Sequence, residues 1–277
     1  MSAPRVHAES GVEVRRVGPP ACGGAVVVVT APGTSAARLD ALAPFTDAVR
    51  ADGRSAYVLV WSAMGPERAG VGAHHLAHTV LPRAFRRIAR DAALGPEGPL
   101  HLVGLGAGGT LTVMALSEHD GTLPWGAVVL VSAVADPRRA PVSRRQAAVF
   151  SDARLVGHVV SRANVAAVGT LLGGPRRWAD LLSRAVDDGL AVPTGAVSGA
   201  LLSDLSQPLP ALNAVRRPLL VLAGGDDPVR SPAACLPVLR RWAGPARSVV
   251  VAGARPPLHQ LALSHAVVAR HLAGARP

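Results

Sequence analysis

The stretch His101-Leu102-Val103-Gly104-Leu105-Gly106-Ala107-Gly108-Gly109-Thr110 decides how this chain folds. A short apolar run reaches a turn dense in glycine and passes directly into a helical pattern over residues 111–116. This order predicts a strand, a tight turn and a helix.

Two motifs share that architecture, and they assign different roles to residue 106. In Gly-x-Nuc-x-Gly a nucleophile sits on a strained turn, exposed above the sheet. Gly104 and Gly108 fit this motif, but Gly106 stands where a serine or cysteine is required. The dinucleotide fingerprint Gly-x-Gly-x-x-Gly is the other motif, and Gly104, Gly106 and Gly109 satisfy it letter for letter.

The rest of the chain alternates buried strands with helix-length segments. Apolar, often β-branched runs predict strands, and they lie at 25–30, 56–61, 100–103, 127–131, 218–223 and 248–252. Such runs are typical of a parallel sheet covered on both faces. We therefore predict an α/β fold, with a mostly parallel sheet flanked by helices.

The pattern divides the chain into four segments. Residues 1–23 form a polar N-terminal arm, in which the alternation at 12–14 predicts an edge strand. Residues 24–134 and 217–277 are the two parts of the α/β core. Between them, 135–216 lacks strand-like runs and carries helical segments at 159–172 and 178–190, which predicts a helical cap or lid insertion.

The order of three features resembles the α/β-hydrolase superfamily. The glycine turn at Gly106 comes first, Asp227 follows a late strand in a Gly-x-x-Asp-x-Val setting, and His259 lies in a loop before the last helix. Residues 102–110, with their double glycine and threonine, are most similar to the polyhydroxyalkanoate synthase and lipase-like branch. The resemblance implies the α/β-hydrolase fold, with Gly106 at a vacated nucleophile position.

The same resemblance implies what the other site residues do. Asp227 orients His259, and the backbone N–H of Ala107 forms an oxyanion hole with an amide from the turn at Gly33 and Thr34. Without a nucleophile, covalent catalysis is lost. We expect a His-Asp general-base catalyst, such as a non-covalent hydrolase, lyase or cyclase, acting on an acyl or polyketide-like carbonyl compound.

Two alternatives stay open. One is a catalytically silent protein that binds an apolar ligand or a partner. The other is dinucleotide binding through Gly104, Gly106 and Gly109, although that fingerprint normally follows the first strand and here two buried strands precede it. The strand after the turn also ends without the acidic residue that would hold a ribose, since Asp136 comes too late.

Other polar residues near the predicted cleft receive simpler interpretations. Ser62 and Ser132 follow strands, and each hydroxyl is expected to satisfy a loop backbone. His74 and His78 have a helical metal spacing, yet no glutamate follows His74 in the zinc-protease manner. We therefore expect surface histidines, no metal and no cofactor.

The net charge of +11 is carried by arginine, since the chain contains no lysine. Part of this charge is patterned as a stripe at i, i+3, i+4 and i+7 of one predicted helix, namely Arg83, Arg86, Arg87 and Arg90. The stripe is either a solvated helix face or a docking surface for an acyl carrier protein or a coenzyme A thioester. Nucleic acid is not expected, because the chain lacks basic patches interleaved with aromatic residues.

Composition indicates a soluble globular domain. The 277 residues are 49% apolar, which is enough for one large core, and no window is long enough for a membrane helix. The amino-terminal segment lacks the apolar block of a signal peptide, so we expect a cytoplasmic protein. Cys22 and Cys235 are too few for a disulfide framework and are expected to be free thiols.

Overall fold

A computed structural model describes most of the chain outside the predicted cap. The described residues are 4–9, 11–21, 23–30, 40–61, 73–95, 98–119, 121–133, 212–225, 232–252 and 257–274. The predicted cap, 135–216, therefore lies outside the described residues up to 211, as do Cys22, Gly33, Thr34, Ser62, Asp136 and Asp227.

Eight described strands form one mixed sheet. The strands are β1 (Arg5–Glu9), β2 (Val12–Val17), β3 (Ala25–Val29), β4 (Ser55–Trp61), β5 (Leu100–Leu105), β6 (Trp125–Val131), β7 (Leu219–Gly224) and β8 (Ala246–Val251). Their spatial order is β1-β2-β4-β3-β5-β6-β7-β8. All pairs from β4 to β8 are parallel, whereas β1 with β2 and β2 with β4 are antiparallel. The predicted parallel sheet is thus confirmed, with β5 near its middle.

Helices cover both faces of this sheet. They are α1 (Ala43–Ala51), α2 (Ala73–His75), α3 (Leu81–Asp91), α4 (Ala107–His119), α5 (Pro232–Arg241), α6 (Pro257–Leu263) and α7 (His265–Gly274), with a π-helical turn, Leu76–Val80, joining α2 to α3. One apolar core lies beneath α3, α4 and α5, and a second lies beneath α1, α6 and α7. Among the described helices, none has the length and apolar character needed to span a bilayer.

The N-terminal arm differs from the prediction. Its residues supply two strands of the sheet, and β2 is an inner strand because β1 pairs with its outer side. Val12 and Val14 are fully buried, which explains the alternation seen in the sequence. The pattern of β1, Arg-Val-His-Ala-Glu, is too polar to reveal a strand that forms by pairing at an edge.

Candidate active site

The turn between β5 and α4 consists of Gly106 alone. Strand β5 ends at Leu105, α4 begins at Ala107, and Gly106 between them has φ +54°. Its N–H donates to the carbonyl of Val131 at 2.9 Å, which fixes the turn to the end of the neighbouring strand β6. A single left-handed residue between strand and helix is the geometry of a nucleophile-elbow turn.

Three other glycines let backbones pack closely around this turn. A Cβ on Gly104 would lie 2.4 Å from the Cα of Gly109, and one on Gly108 would lie 2.3 Å from the carbonyl oxygen of Val29. A Cβ on Gly109 would lie 2.7 Å from the Cβ of Ala133. The start of α4 is therefore pressed between the ends of β3 and β6, at the carboxyl edge of the sheet.

The amino terminus of α4 supplies donors beside Gly106. The first amides of a helix have no acceptor within it, and the helix dipole places partial positive charge there. Ala107 is the first residue of α4 and is nearly buried, at 9% exposed. Strand β3 ends alongside it, while Gly33 and Thr34, the predicted second source of an oxyanion-hole amide, lie outside the described residues.

Ser132, directly after β6, combines backbone strain with complete burial. Its φ is +50°, and its exposed fraction is 0%. The Ser132 N–H donates to the carbonyl of Leu222 at 2.8 Å, and its hydroxyl donates to Oε1 of Gln260 at 2.9 Å. The prediction that this hydroxyl satisfies a loop backbone is therefore wrong, because its acceptor is a side chain 128 residues away.

His259 lies in the first turn of α6 and not in a loop as predicted. Pro257 starts this seven-residue helix, because proline already has a helical φ and lacks the N–H that would be unpaired there. The His259 side chain is exposed, while its neighbour Gln260 is fully buried. The Gln260 bond to Ser132 thus holds the first turn of α6 beside the end of β6.

Three other predicted site residues, Asp227, Gly33 and Thr34, lie outside the described residues. Their distances to His259 and Ala107 therefore stay predictions. The sequence missed the pair formed by Ser132 and Gln260. The signal for it was limited to one polar residue, Gln260, among the apolar residues that follow His259.

The histidines on α2 and the following turn form a separate cluster. The rings of His74 and His78 pack edge to face with centroids 4.1 Å apart, and Nδ1 of His78 lies 2.9 Å from Oε2 of Glu118. Within the described ranges, no group of three or more His, Cys, Asp or Glu side chains is arranged to hold a metal ion.

Comparison with solved structures gives the fold. A thermophilic esterase from Thermogutta terrifontis aligns over 100% of both chains with a TM-score of 0.65 and 15% identity. A monoglyceride lipase from Saccharomyces cerevisiae aligns over 98% of this chain and 96% of its own, with a TM-score of 0.66 and 12% identity. A monoacylglycerol lipase from Paleococcus ferrophilus aligns over 95% and 98%, with a TM-score of 0.61 and 14% identity.

This chain has the α/β-hydrolase fold. No protein-family model matches its sequence, and no curated protein is similar enough to match. In an α/β-hydrolase fold, ligands bind at the carboxyl ends of the parallel strands, where Gly106, Ser132 and the first turn of α6 meet. That edge is accordingly the candidate active site.

Proposed function

We propose that this α/β-hydrolase-fold protein acts without a covalent nucleophile, with His259 as a general base oriented by Asp227. The substrate is an acyl or polyketide-like carbonyl compound. The proposal combines the fold with glycine at residue 106. The sharp turn between β5 and α4 has the shape of a nucleophile elbow, but glycine supplies no nucleophilic side chain there. The resemblance of residues 102–110 to the polyhydroxyalkanoate synthase and lipase-like branch supports an acyl substrate.

One observation carries the proposal: a path of hydrogen bonds joins the elbow to the helix that holds His259. The Gly106 N–H bonds the Val131 carbonyl, the next residue is Ser132, and its hydroxyl bonds Gln260, the neighbour of His259. Three segments distant in sequence are thereby held at one edge of the sheet. The exposed position of His259 lets water reach the imidazole, as a general base requires.

In the hydrolytic form of this reaction, water replaces the enzyme nucleophile. A water oxygen attacks the substrate carbonyl carbon while His259 takes one of its protons, and the carbonyl electron pair moves onto the oxygen. The amide of Ala107 at the start of α4 stabilises that oxyanion. When the carbonyl re-forms, the leaving group departs and takes the proton from the imidazolium, which restores neutral His259. With an acidic C–H in place of water, the same base gives lyase or cyclase chemistry.

Carbonyl oxygens beside Gly108, which lies between the second and third glycines of the fingerprint, argue against dinucleotide binding. In a dinucleotide site, the backbone at the second glycine approaches the pyrophosphate, which lies at the amino terminus of the helix. Here the space beside Gly108 is filled by the carbonyl oxygens of Val29 and Thr30, 2.3 and 2.4 Å from where its Cβ would be. Carbonyl oxygens repel phosphate, so Gly108 serves the contact between α4 and the end of β3.

The test compares two histidine variants on a panel of p-nitrophenyl esters and acyl thioesters. His259→Ala should lower kcat/KM by about a hundredfold or more, because general-base catalysis contributes that much. His75, on α2, is also exposed, so His75→Ala is the matched control and should keep wild-type activity. Gly106→Ala should also retain most of the activity.

Two outcomes would contradict the general-base proposal. Equal turnover by wild type and His259→Ala would show that the imidazole does not act as the base. A folded wild-type protein with no turnover above the buffer rate on the whole panel would favour the silent alternative, in which glycine at residue 106 marks a protein that binds its ligand without reacting with it.

A further inference from the structure

A second surface feature, remote from the elbow, is a basic groove between β1 and α3. It has a volume of about 700 Å³ and is lined by Arg5, Val6, His7, Ala8, Glu9, Arg83, Arg86, Arg87 and Arg90. The distance from β5, which leads to Gly106, to β1 is four strand spacings, or about 19 Å. Small molecules bound at Gly106 therefore do not reach this groove.

The charge of the groove is strongly one-sided. Five of its nine lining residues are arginines, and Glu9 is its only carboxylate. Glu9 is already shared, since its two oxygens contact Arg83 and, at 3.5 Å, Nε2 of His7. The side chains of Arg5 and Arg83 are 63% and 56% exposed. Arg5 is itself paired with Glu13, at 3.1 Å, so the positive charge available to a ligand in solution comes chiefly from Arg86, Arg87 and Arg90, which are exposed on α3.

The arginines of α3 are arranged along a line. Nε of Arg86 donates to the carbonyl of Pro82, and Nε of Arg90 donates to that of Arg86, so each side chain is held along the helix. A guanidinium has further N–H donors beyond Nε. From Arg83 to Arg90 the helix rises about 10 Å, so the charges are spread out and do not converge on one point.

The strand that forms the other wall is an edge strand. Among the described strands, β1 pairs only with β2, so its outer side presents backbone N–H and C=O groups. An extended peptide can bind such an edge by adding a strand. Backbone pairing along β1 and charge pairing along α3 would then act on the same ligand.

We propose that this groove docks an acidic, extended polypeptide segment of a partner protein. A line of arginines beside an open strand edge matches carboxylates repeated along a chain, whereas a coenzyme A phosphate cluster needs donors that converge. Single-stranded nucleic acid needs aromatic rings for base stacking, and the groove lining contains no phenylalanine, tyrosine or tryptophan.

The test measures binding of a fluorescein-labelled decapeptide of alternating glutamate and threonine by fluorescence anisotropy. Arg86→Glu with Arg87→Glu should weaken binding at least tenfold, because two favourable ion pairs become repulsive. The matched control is Arg240→Glu with Arg270→Glu, two exposed arginines on α5 and α7. It causes the same change in net charge and should alter the affinity less than twofold. Wild-type binding should also weaken with salt, since charges are screened over about 10 Å at 0.1 M.

Three outcomes would overturn the proposal. An equal loss in both double variants would mean that the peptide responds to overall charge, and no loss in the groove variant would mean that the arginines only solvate α3 and protect the edge of β1. Tighter binding of coenzyme A or oligothymidylate than of the peptide, abolished by the groove variant, would assign the groove to another ligand. All four substituted residues are exposed, and far-ultraviolet circular dichroism checks that each variant is folded.

Discussion

At the scale of single residues, the missing side chain of Gly108 allows α4 to lie against the last carbonyl groups of β3. Gly108→Ala should destabilise the protein by about 3 kcal/mol, because the new methyl group overlaps backbone atoms that cannot rotate away. Gly121→Ala is the matched control, since a Cβ there meets nothing within 4 Å, and its effect should stay below about 1 kcal/mol. Urea denaturation measures both, and equal effects would contradict the close packing of α4 on β3.

We expect Ser132 to position the turn that carries His259, through its hydrogen bond to Gln260. Ser132→Ala removes the hydroxyl that bonds Gln260, so the first turn of α6 should lose part of its alignment with the elbow. We expect about a tenfold fall in kcat with little change in KM, because only the placement of the base is altered. Ser117→Ala, whose hydroxyl bonds a carbonyl in its own helix, is the control. A change confined to stability, with kcat intact, would limit Ser132 to a structural role.

At the scale of elements, α7 packs on β6, and two histidines are buried in this part of the molecule, His101 on β5 and His271 on α7. His101 is fully buried and accepts the N–H of Ala127 at 2.9 Å through Nδ1. Burial, with smaller contributions from the nearby Arg54 and His271, lowers its pKa to about 4. Burial likewise lowers the pKa of His271 on α7. Both imidazoles are therefore neutral in the folded protein at pH 7.

These depressed pKa values predict acid sensitivity. An unfolded chain binds the proton near pH 6.5 and the folded chain only near pH 4, so stability from His101 is complete above about 6.5 and is lost as pH falls towards 4. The loss from His101 should approach about 3 kcal/mol. Urea denaturation between pH 7.5 and pH 4.5 measures it, with His101→Gln as the variant that does not titrate. The same pH slope in both proteins would contradict this assignment.

The sequence predicted elements well where burial on both faces leaves an unmistakable pattern. Strands β3 to β7 are apolar runs because helices cover each side of the sheet, and their carboxyl ends were predicted to within two residues. Two elements were missed for the opposite reason. Strand β1 is polar and is defined by its pairing with β2, and α6 is shorter than two full helical periods, so neither has a periodic signal of its own.

The candidate site was likewise predicted only in part from the sequence. A local glycine motif predicted the turn at Gly106, whereas His259 was proposed from its place in the chain order alone. The bond between Ser132 and Gln260 spans 128 residues and depends on how α6 packs against β6, which no local pattern encodes. The positive φ of Ser132 was equally hidden, since serine has no general preference for that conformation.

At the scale of the whole molecule, the sheet places two surfaces with different chemistry far apart. The elbow at Gly106 lies at the carboxyl ends of the central strands, and the basic groove of β1 and α3 lies at one edge. Variants of the groove should therefore leave turnover of small esters unchanged, so a failure of the docking proposal is separable from a failure of the proposed chemistry.

We infer that Gly106 occupies a vacated nucleophile position facing His259. Gly106→Ser should place a hydroxyl there, at a cost of about 1–2 kcal/mol because φ is +54° at this residue. Ala107→Ser is the matched control, since it adds the same hydroxyl one residue later, inside α4.

The decisive measurement is covalent labelling of folded Gly106→Ser by a fluorophosphonate probe, which requires only attack and no later hydrolysis. We expect labelling of Gly106→Ser, loss of that labelling when His259→Ala is added, and no labelling of Ala107→Ser or wild type. A folded Gly106→Ser protein that does not label, or that labels equally well without His259, would contradict this inference about Gly106.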